Sequence, residues 1–373
     1  MLDANQRAAL EALLAQLVAT KSESGDEAAL AAFTSSWLAE RGLEVEVVDR
    51  SVVARLRGGD GPTLLMNTHL DTVPAGLGWL DDPWRAEWEG DRLVGLGAND
   101  AKGCVASMMF AAAELAAAQK AGGPRLAGEL ILSLHHEEET TNKGMEAVLA
   151  HLGRMPDLAI TGEPTGLDVV RAQSGLAVLR AEWEGKSCHA AHISRVEHEN
   201  ALRTAARELS NLPAPQVLEP EHELLGPSTL APTVIRAGER HNKIPDHTEV
   251  VFDARLAAPH DADECLELLG AAMPNAKLSV RSKRLGPVET AADHPLVRLA
   301  LEATGKAAAT GSNTLSDMAL LPGVPAIKCG PGETVRSHTP NEYITKDELA
   351  AGAAFYTRIV PAALAALRGE VVR

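Results

Sequence analysis

Leu64-Leu65-Met66-Asn67-Thr68-His69-Leu70-Asp71-Thr72-Val73-Pro74 begins as an apolar run and ends in polar residues before a proline. A short apolar run closed by turn signals is the pattern of a strand buried on both faces. Two more such runs follow. Residues 130–134 lead into His135-His136-Glu137-Glu138-Glu139-Thr140, and Leu158-Ala159-Ile160 leads into Thr161-Gly162-Glu163-Pro164-Thr165. Helical spacing over 102–119 and 143–151 separates them, and residues 6–19 and 26–40 read as helices ahead of strands at 43–48 and 52–56. Strands alternating with helices predict an α/β fold, a mostly parallel sheet flanked by helices.

The pattern changes after Ser174. Residues 176–183 alternate like a half-exposed strand and 197–209 look helical. Strands at 233–237 and 248–255, a helix at 261–271 and a strand at 277–280 complete a β-α-β-β-α-β order. That order predicts a two-layer α+β sandwich with an antiparallel sheet. From Pro295 the helix–strand alternation returns, ending in an amphipathic helix over 347–367. The expected organisation is one α/β domain (1–174 and 289–373) interrupted by an inserted domain at 175–288.

Composition narrows the function. The chain has 373 residues, 45% of them hydrophobic, and a formal net charge of −16. So apolar a chain can build cores and is not expected to be disordered. Its acidic balance argues against nucleic acid and anionic membranes, which are bound through Lys and Arg. Cys104, Cys188, Cys265 and Cys329 form no CxxC pair and read as reduced thiols. The first residues show no signal-peptide pattern. The apolar stretches at 105–118 and 359–367 fall short of the ~20 residues of a membrane span. A soluble cytoplasmic protein is expected.

Ligands of open α/β sheets bind beyond the carboxyl ends of the strands. The residues at those ends are His69, Asp71, Glu137, Glu138, Glu139 and Glu163. Asp100 in Gly97-Ala98-Asn99-Asp100-Ala101-Lys102-Gly103 and His338 in Ser337-His338-Thr339-Pro340-Asn341-Glu342-Tyr343 join them. Two imidazoles, several carboxylates and no thiol suit borderline divalent metals such as zinc, with cobalt or manganese as substitutes. Taken singly, each piece has a plainer reading: a turn His–Asp hydrogen bond, a solvated glutamate run, a helix-start Lys102 without chemistry. Together, at the ends of buried strands, they point to one site. Gly95-x-Gly97 fails as a dinucleotide loop because Asp100 stands where the third glycine belongs, and no Gly-x-Ser-x-Gly elbow is present.

These five stretches resemble, in order, the co-catalytic zinc amidohydrolases that include acetylornithine deacetylase, succinyl-diaminopimelate desuccinylase, aminoacylase and glutamate carboxypeptidase. The acetylornithine deacetylase branch is the nearest, with Thr314-Leu315-Ser316-Asp317 and His241-Asn242-Lys243-Ile244-Pro245-Asp246 also matching. The resemblance covers the whole chain. It implies a zinc exopeptidase-like catalytic domain and a ferredoxin-like inserted lid through which the chain forms a homodimer.

It also implies two divalent ions, most simply zinc. His69 and Glu163 would hold one, Glu139 and His338 the other, and Asp100 would bridge them. Asp71 would hydrogen-bond His69. Glu138 would be the general base, taking a proton from the bridging water and passing it to the leaving amine. His189 in Gly185-Lys186-Ser187-Cys188-His189-Ala190 would reach across the dimer to the carbonyl oxygen, and Asn242 and Arg255 would grip a substrate carboxylate.

The chain departs from the branch at Ser174, where lysine is frequent, and at Cys188. Arg336, an added cation two residues before His338, is a candidate contact for a substrate carboxylate. The expected activity is hydrolysis of an N-acyl amino acid, N-acetylornithine foremost, as in arginine biosynthesis. Desuccinylase, dipeptidase or carboxypeptidase action by the same site is the alternative, and a non-catalytic binding descendant a more distant one.

Overall fold

The computed structural model describes residues 2–212 and 217–369. Two compact units result. One comprises Met1–Arg171, Glu289–Thr310 and Ser316–Arg373, and the other Ala172–Val288 with the short segment Gly311–Leu315.

The first unit opens with helices α1 (Ala4–Ala19) and α2 (Ala28–Glu40), the hairpin β1 (Glu44–Val48) and β2 (Ser51–Arg57), and β3 (Thr63–His69). It continues through α3 (Lys102–Lys120), β4 (Glu129–His135), α4 (Lys143–Leu152) and β5 (Leu158–Thr161). The second unit contains β6 (Gly175–Glu184), α5 (Ala201–Leu209), β7 (Val217–His222), β8 (Gly226–Ala237), β9 (His247–Leu256), α6 (Ala262–Ala272) and β10 (Lys277–Leu285). Helix α7 (Pro295–Thr304), β11 (Ala326–Lys328) and α8 (Lys346–Arg368) return to the first.

In the first unit the strands lie in the order β1-β2-β4-β3-β5-β11. From β4 to β11 the pairing is parallel, whereas β1 and β2 run antiparallel at one edge. The sheet is therefore mixed. Val48 pairs with Ser51, which leaves Asp49-Arg50 as a two-residue turn, and Asp49 takes the left-handed φ of 55° that such hairpins favour. Every residue of β3 is buried, as its unbroken apolar start requires of a strand covered on both faces.

Helix α8 begins with a capping box between Thr345 and Glu348. Its 23 residues, matching the helix expected over 347–367, are by length and composition alone long and apolar enough to cross a membrane. Its apolar face is part of the core: Leu349, Phe355, Tyr356, Ile359 and Val360 are buried there.

The second unit is a five-stranded antiparallel sheet, β7-β8-β9-β6-β10, with α5 and α6 packed on it. Strand β6 alternates buried and half-buried residues along its length, the period-two pattern of a sheet with one covered face. The edge strand β7 was not legible in the sequence because Pro220 interrupts it, and proline is confined to strand edges.

Candidate metal centre

Parallel pairing brings the strand ends together. His69 ends β3 and sits in register with His135 at the end of β4. The Leu70 N–H donates to the His135 carbonyl at 2.7 Å, and the Gly162 N–H, just past β5, donates to the Asn67 carbonyl at 2.7 Å. The loops carrying Asp71, Glu138–Glu139 and Glu163 thus leave one edge of the sheet side by side. Asp100 precedes α3. Asn99 ties this loop to the segment carrying His338, donating through Nδ2 to the Glu333 carbonyl at 3.1 Å and accepting the Glu333 N–H at 2.9 Å.

One donor atom from each of His69, Asp100 and Glu139 lies within 4.8 Å of the others. Asp100 turns one oxygen to each imidazole: Oδ1 is 3.3 Å from His69 Nε2 and Oδ2 is 3.8 Å from His338 Nε2. His338 Nε2 lies 2.9 Å from Glu139 Oε1. That hydrogen bond is the main reason the His338 imidazole is pushed up to about 9, against the opposing effect of burial. Burial pushes the Glu163 carboxyl up to about 8; His69 opposes it, while the negative charges of Asp100 and Glu139 add to it. Carboxylates packed against one another in a recess are costly unless a cation joins them. Nitrogen and oxygen donors in this arrangement fit divalent metal ions.

Asp71 faces His69 and also holds the loop that carries Glu138. His69 Nδ1 lies 2.9 Å from the Asp71 backbone carbonyl and 3.5 Å from its carboxylate. The carboxylate accepts the N–H of Glu138 at 3.0 Å, the N–H of Glu139 at 3.2 Å and the Ser24 hydroxyl at 2.7 Å. Burial opposes its ionisation, but His69 and these donors outweigh burial and hold the Asp71 carboxyl far below the usual range. Glu138 is the opposite case. Burial and then the charge of Asp317 drive its carboxyl well above the usual range, although His69 opposes them.

Three buried residues escaped the sequence reading. Lys102 opens α3, as expected, but is buried: its Nζ donates to the Thr20 carbonyl at 2.8 Å, and burial lowers it to about 7 against the pull of Glu342. The Glu342 carboxyl, pushed up to about 8 by burial, accepts the Gly97 N–H in the loop that carries Asp100. Lys328 ends β11 in register with Thr161, near enough to Glu163, Glu138 and Asp100 for their charge to oppose the lowering that burial imposes. A lysine in an otherwise apolar strand was the available signal.

Arg336 turns away to Glu348, with guanidinium nitrogens 3.0 Å from each carboxylate oxygen, and stacks on Tyr343 at 4.3 Å. In the second unit, the loops holding His189 and Asn242 are paired. The Ala190 N–H donates to the Asn242 carbonyl at 2.9 Å, and His189 Nε2 is 3.4 Å from Asn242 Nδ2. Arg255 lies on β9 with its Nε 2.9 Å from Asp253.

Comparison with known proteins agrees with this architecture. The [LysW]-lysine/[LysW]-ornithine hydrolase described from Pyrobaculum aerophilum is 29% identical over 77% of this chain and 76% of its own. An acetylornithine deacetylase of Aliivibrio salmonicida is 27% identical over 83% of this chain and 85% of its own. The crystal structure of the Bacillus subtilis YXEP protein, a dinuclear metal binding peptidase, superposes with a TM-score of 0.75 at 18% identity, covering 97% of this chain and 99% of that one. Residues 65–362 match the model of peptidase family M20/M25/M40. The chain belongs to that family and is a hydrolase of amide bonds.

Proposed function

We propose that this hydrolase removes a small acyl group from an N-acyl amino acid, with N-acetylornithine as substrate. The observation that carries the reading is the convergence of His69, Asp100, Glu139 and His338 from four separate loops, beside a Glu138 whose backbone is held by Asp71. His69 and Glu163 would hold one divalent ion, Glu139 and His338 a second, and Asp100 both; zinc suits these donors, and cobalt or manganese would substitute. Bound there, such ions polarise an amide carbonyl and acidify water.

Glu138 takes the proton of the attacking water and delivers it to the leaving nitrogen. Asp71 fixes the backbone from which Glu138 projects, and its carbonyl orients the His69 ring. His189 of a second copy would stabilise the developing oxyanion, with Asn242 beside it for the substrate carboxylate. Arg255 and Arg336 each carry a carboxylate partner within the chain, which weighs against their reaching for one on a substrate.

The homodimer is proposed through the second unit. There Val234–Ala237 pairs with β9 on one side and with no strand on the other among the described residues, and Val234 and Ile235 are exposed. Light scattering of wild type and Ile235→Lys reads this out; a wild-type monomer would overturn it. The cytoplasm is the proposed location.

The test of function is a panel of N-acetyl and N-succinyl ornithine, citrulline, lysine and diaminopimelate, plus dipeptides, with zinc or cobalt present. Hydrolysis of N-acetylornithine ahead of the rest, lost on chelation and restored by metal, is expected. Preference for dipeptides would overturn the substrate, and full turnover by metal-free protein the mechanism.

A further inference from the structure

Behind Glu138 lies a buried polar group outside the proposed ligand set. Asp317 and His135 are each about 1% exposed, and the Asp317 carboxylate is in contact with His135 Nε2. Its other oxygen, Oδ1, accepts from Asn142 Nδ2 at 3.0 Å. The same amide nitrogen donates to the Glu138 carbonyl at 3.2 Å. One side-chain amide therefore joins the Asp317 carboxylate to the backbone of Glu138.

The loop needs such a tie. Glu137 and Asn142 take φ of 54° and 53°, so two left-handed non-glycine residues bracket the Glu138–Glu139 segment. Backbone of this kind persists where surrounding contacts over-determine it. Within the loop, the N–H groups of Thr141 and Asn142 both donate to the Glu137 carbonyl, at 3.0 and 2.7 Å. From outside, Asp71 holds the Glu138 N–H and Asn142 holds its carbonyl, so both peptide groups of the residue are fixed. Asn142 is fixed in turn by a carboxylate distant in sequence, and a carboxylate this deeply buried is tolerated because it is paired and hydrogen-bonded.

We infer that Asp317 is a positioning residue for Glu138, acting through Asn142 and held in place by His135. The inference rests on the reading of Glu138 as the proton carrier. Asp317 does not touch substrate; it sets where the Glu138 carboxyl stands when a proton moves. Misplacement of such a group lowers the rate of the chemical step more than it weakens binding.

The experiment uses the full-length, zinc-loaded enzyme with N-acetylornithine. Asn142→Ala and Asp317→Ala should each lower kcat about 10- to 100-fold, leaving KM and bound metal per chain at wild-type values. Asp317→Asn, which keeps an acceptor for Asn142, should recover part of the loss. The double variant Asn142→Ala/Asp317→Ala should be no slower than the slower single variant, because both remove one connection. Wild-type kcat in both single variants, loss of metal along with activity, or a rise in KM alone would overturn the proposal. If Asp317→Ala does not fold, Asn142→Ala carries the test. Glu138→Gln is assayed beside them: full activity there sinks the reading of Glu138 itself, whereas an inactive Glu138→Gln with fully active Asn142→Ala sinks only the positioning role.

Discussion

The Asp71 carboxylate accepts the backbone N–H of Glu138 at 3.0 Å, linking the loop after β3 to the loop after β4. It thus anchors a neighbouring loop as well as facing His69. Asp71→Ala should lower both metal affinity and kcat, each about 10- to 100-fold, as expected when support behind a ligand set is removed. Asp71→Asn keeps an acceptor and should lose less. Metal titration and steady-state kinetics on the two variants check this; equal losses would show that charge alone matters.

Adjacent glutamates should separate into two roles. Glu138→Ala should retain metal and lose at least about 100-fold in kcat, the range of general acid–base catalysis. Glu139→Ala should lose metal. Elemental analysis of both proteins decides the register, and the opposite pattern would shift the assignment by one residue.

Arg336 and Glu348 form an ion pair with a definite pH signature. Burial opposes ionisation of Glu348, but Arg336 and the Thr345 N–H and hydroxyl outweigh it, holding the carboxyl below its usual 4.5. A depressed carboxyl stabilises the fold above the unfolded-state pKa, and that contribution is lost as pH falls through the folded one. Glu348→Gln should therefore lower Tm by a few degrees at pH 7, about 1 kcal/mol, and the gap to wild type should narrow as pH falls below 4.5. Thermal melts across that range test it, and a gap independent of pH would remove the ion pair as cause.

Gly144 opens α4 against the end of β4, where an added Cβ would land on the His136 backbone. Gly144→Ala should cost about 1–3 kcal/mol, the range for overpacking, and lower Tm by several degrees. Calorimetry would show it. An unchanged Tm would mean that the strand end yields easily.

Much of the catalytic unit was legible because its information is local. Apolar runs marked β3, β4 and β5, and the polar residues at their ends announced His69, Glu138, Glu139 and Glu163. Part of the sheet's mixed character was hidden in one two-residue turn, Asp49-Arg50, whose neighbours read equally well as strands of either direction; Val170 also pairs antiparallel with Lys328 at the end of β11. The less legible residues act across long separations. Nothing near Asn142 in sequence points to Asp317, nothing near Lys102 points to Thr20 and Glu342, and nothing near Arg336 says that Glu348 waits in the first turn of α8. Partnerships of this kind depend on the packed fold, and a spacing pattern does not encode them.

The division of the first unit around the second has a consequence for synthesis. His69, Asp100, Glu139 and Glu163 leave the ribosome before the whole second unit and α7, and His338 comes only afterwards. At about 5–20 residues per second this interval lasts on the order of tens of seconds. During it the early acidic residues lack the late imidazole, and α3 lacks α8, the helix it packs on in the finished fold. Completion of the proposed metal centre thus comes just before the arrival of α8, so a nascent chain would gain its ions and this packing partner of α3 in the same stage of translation.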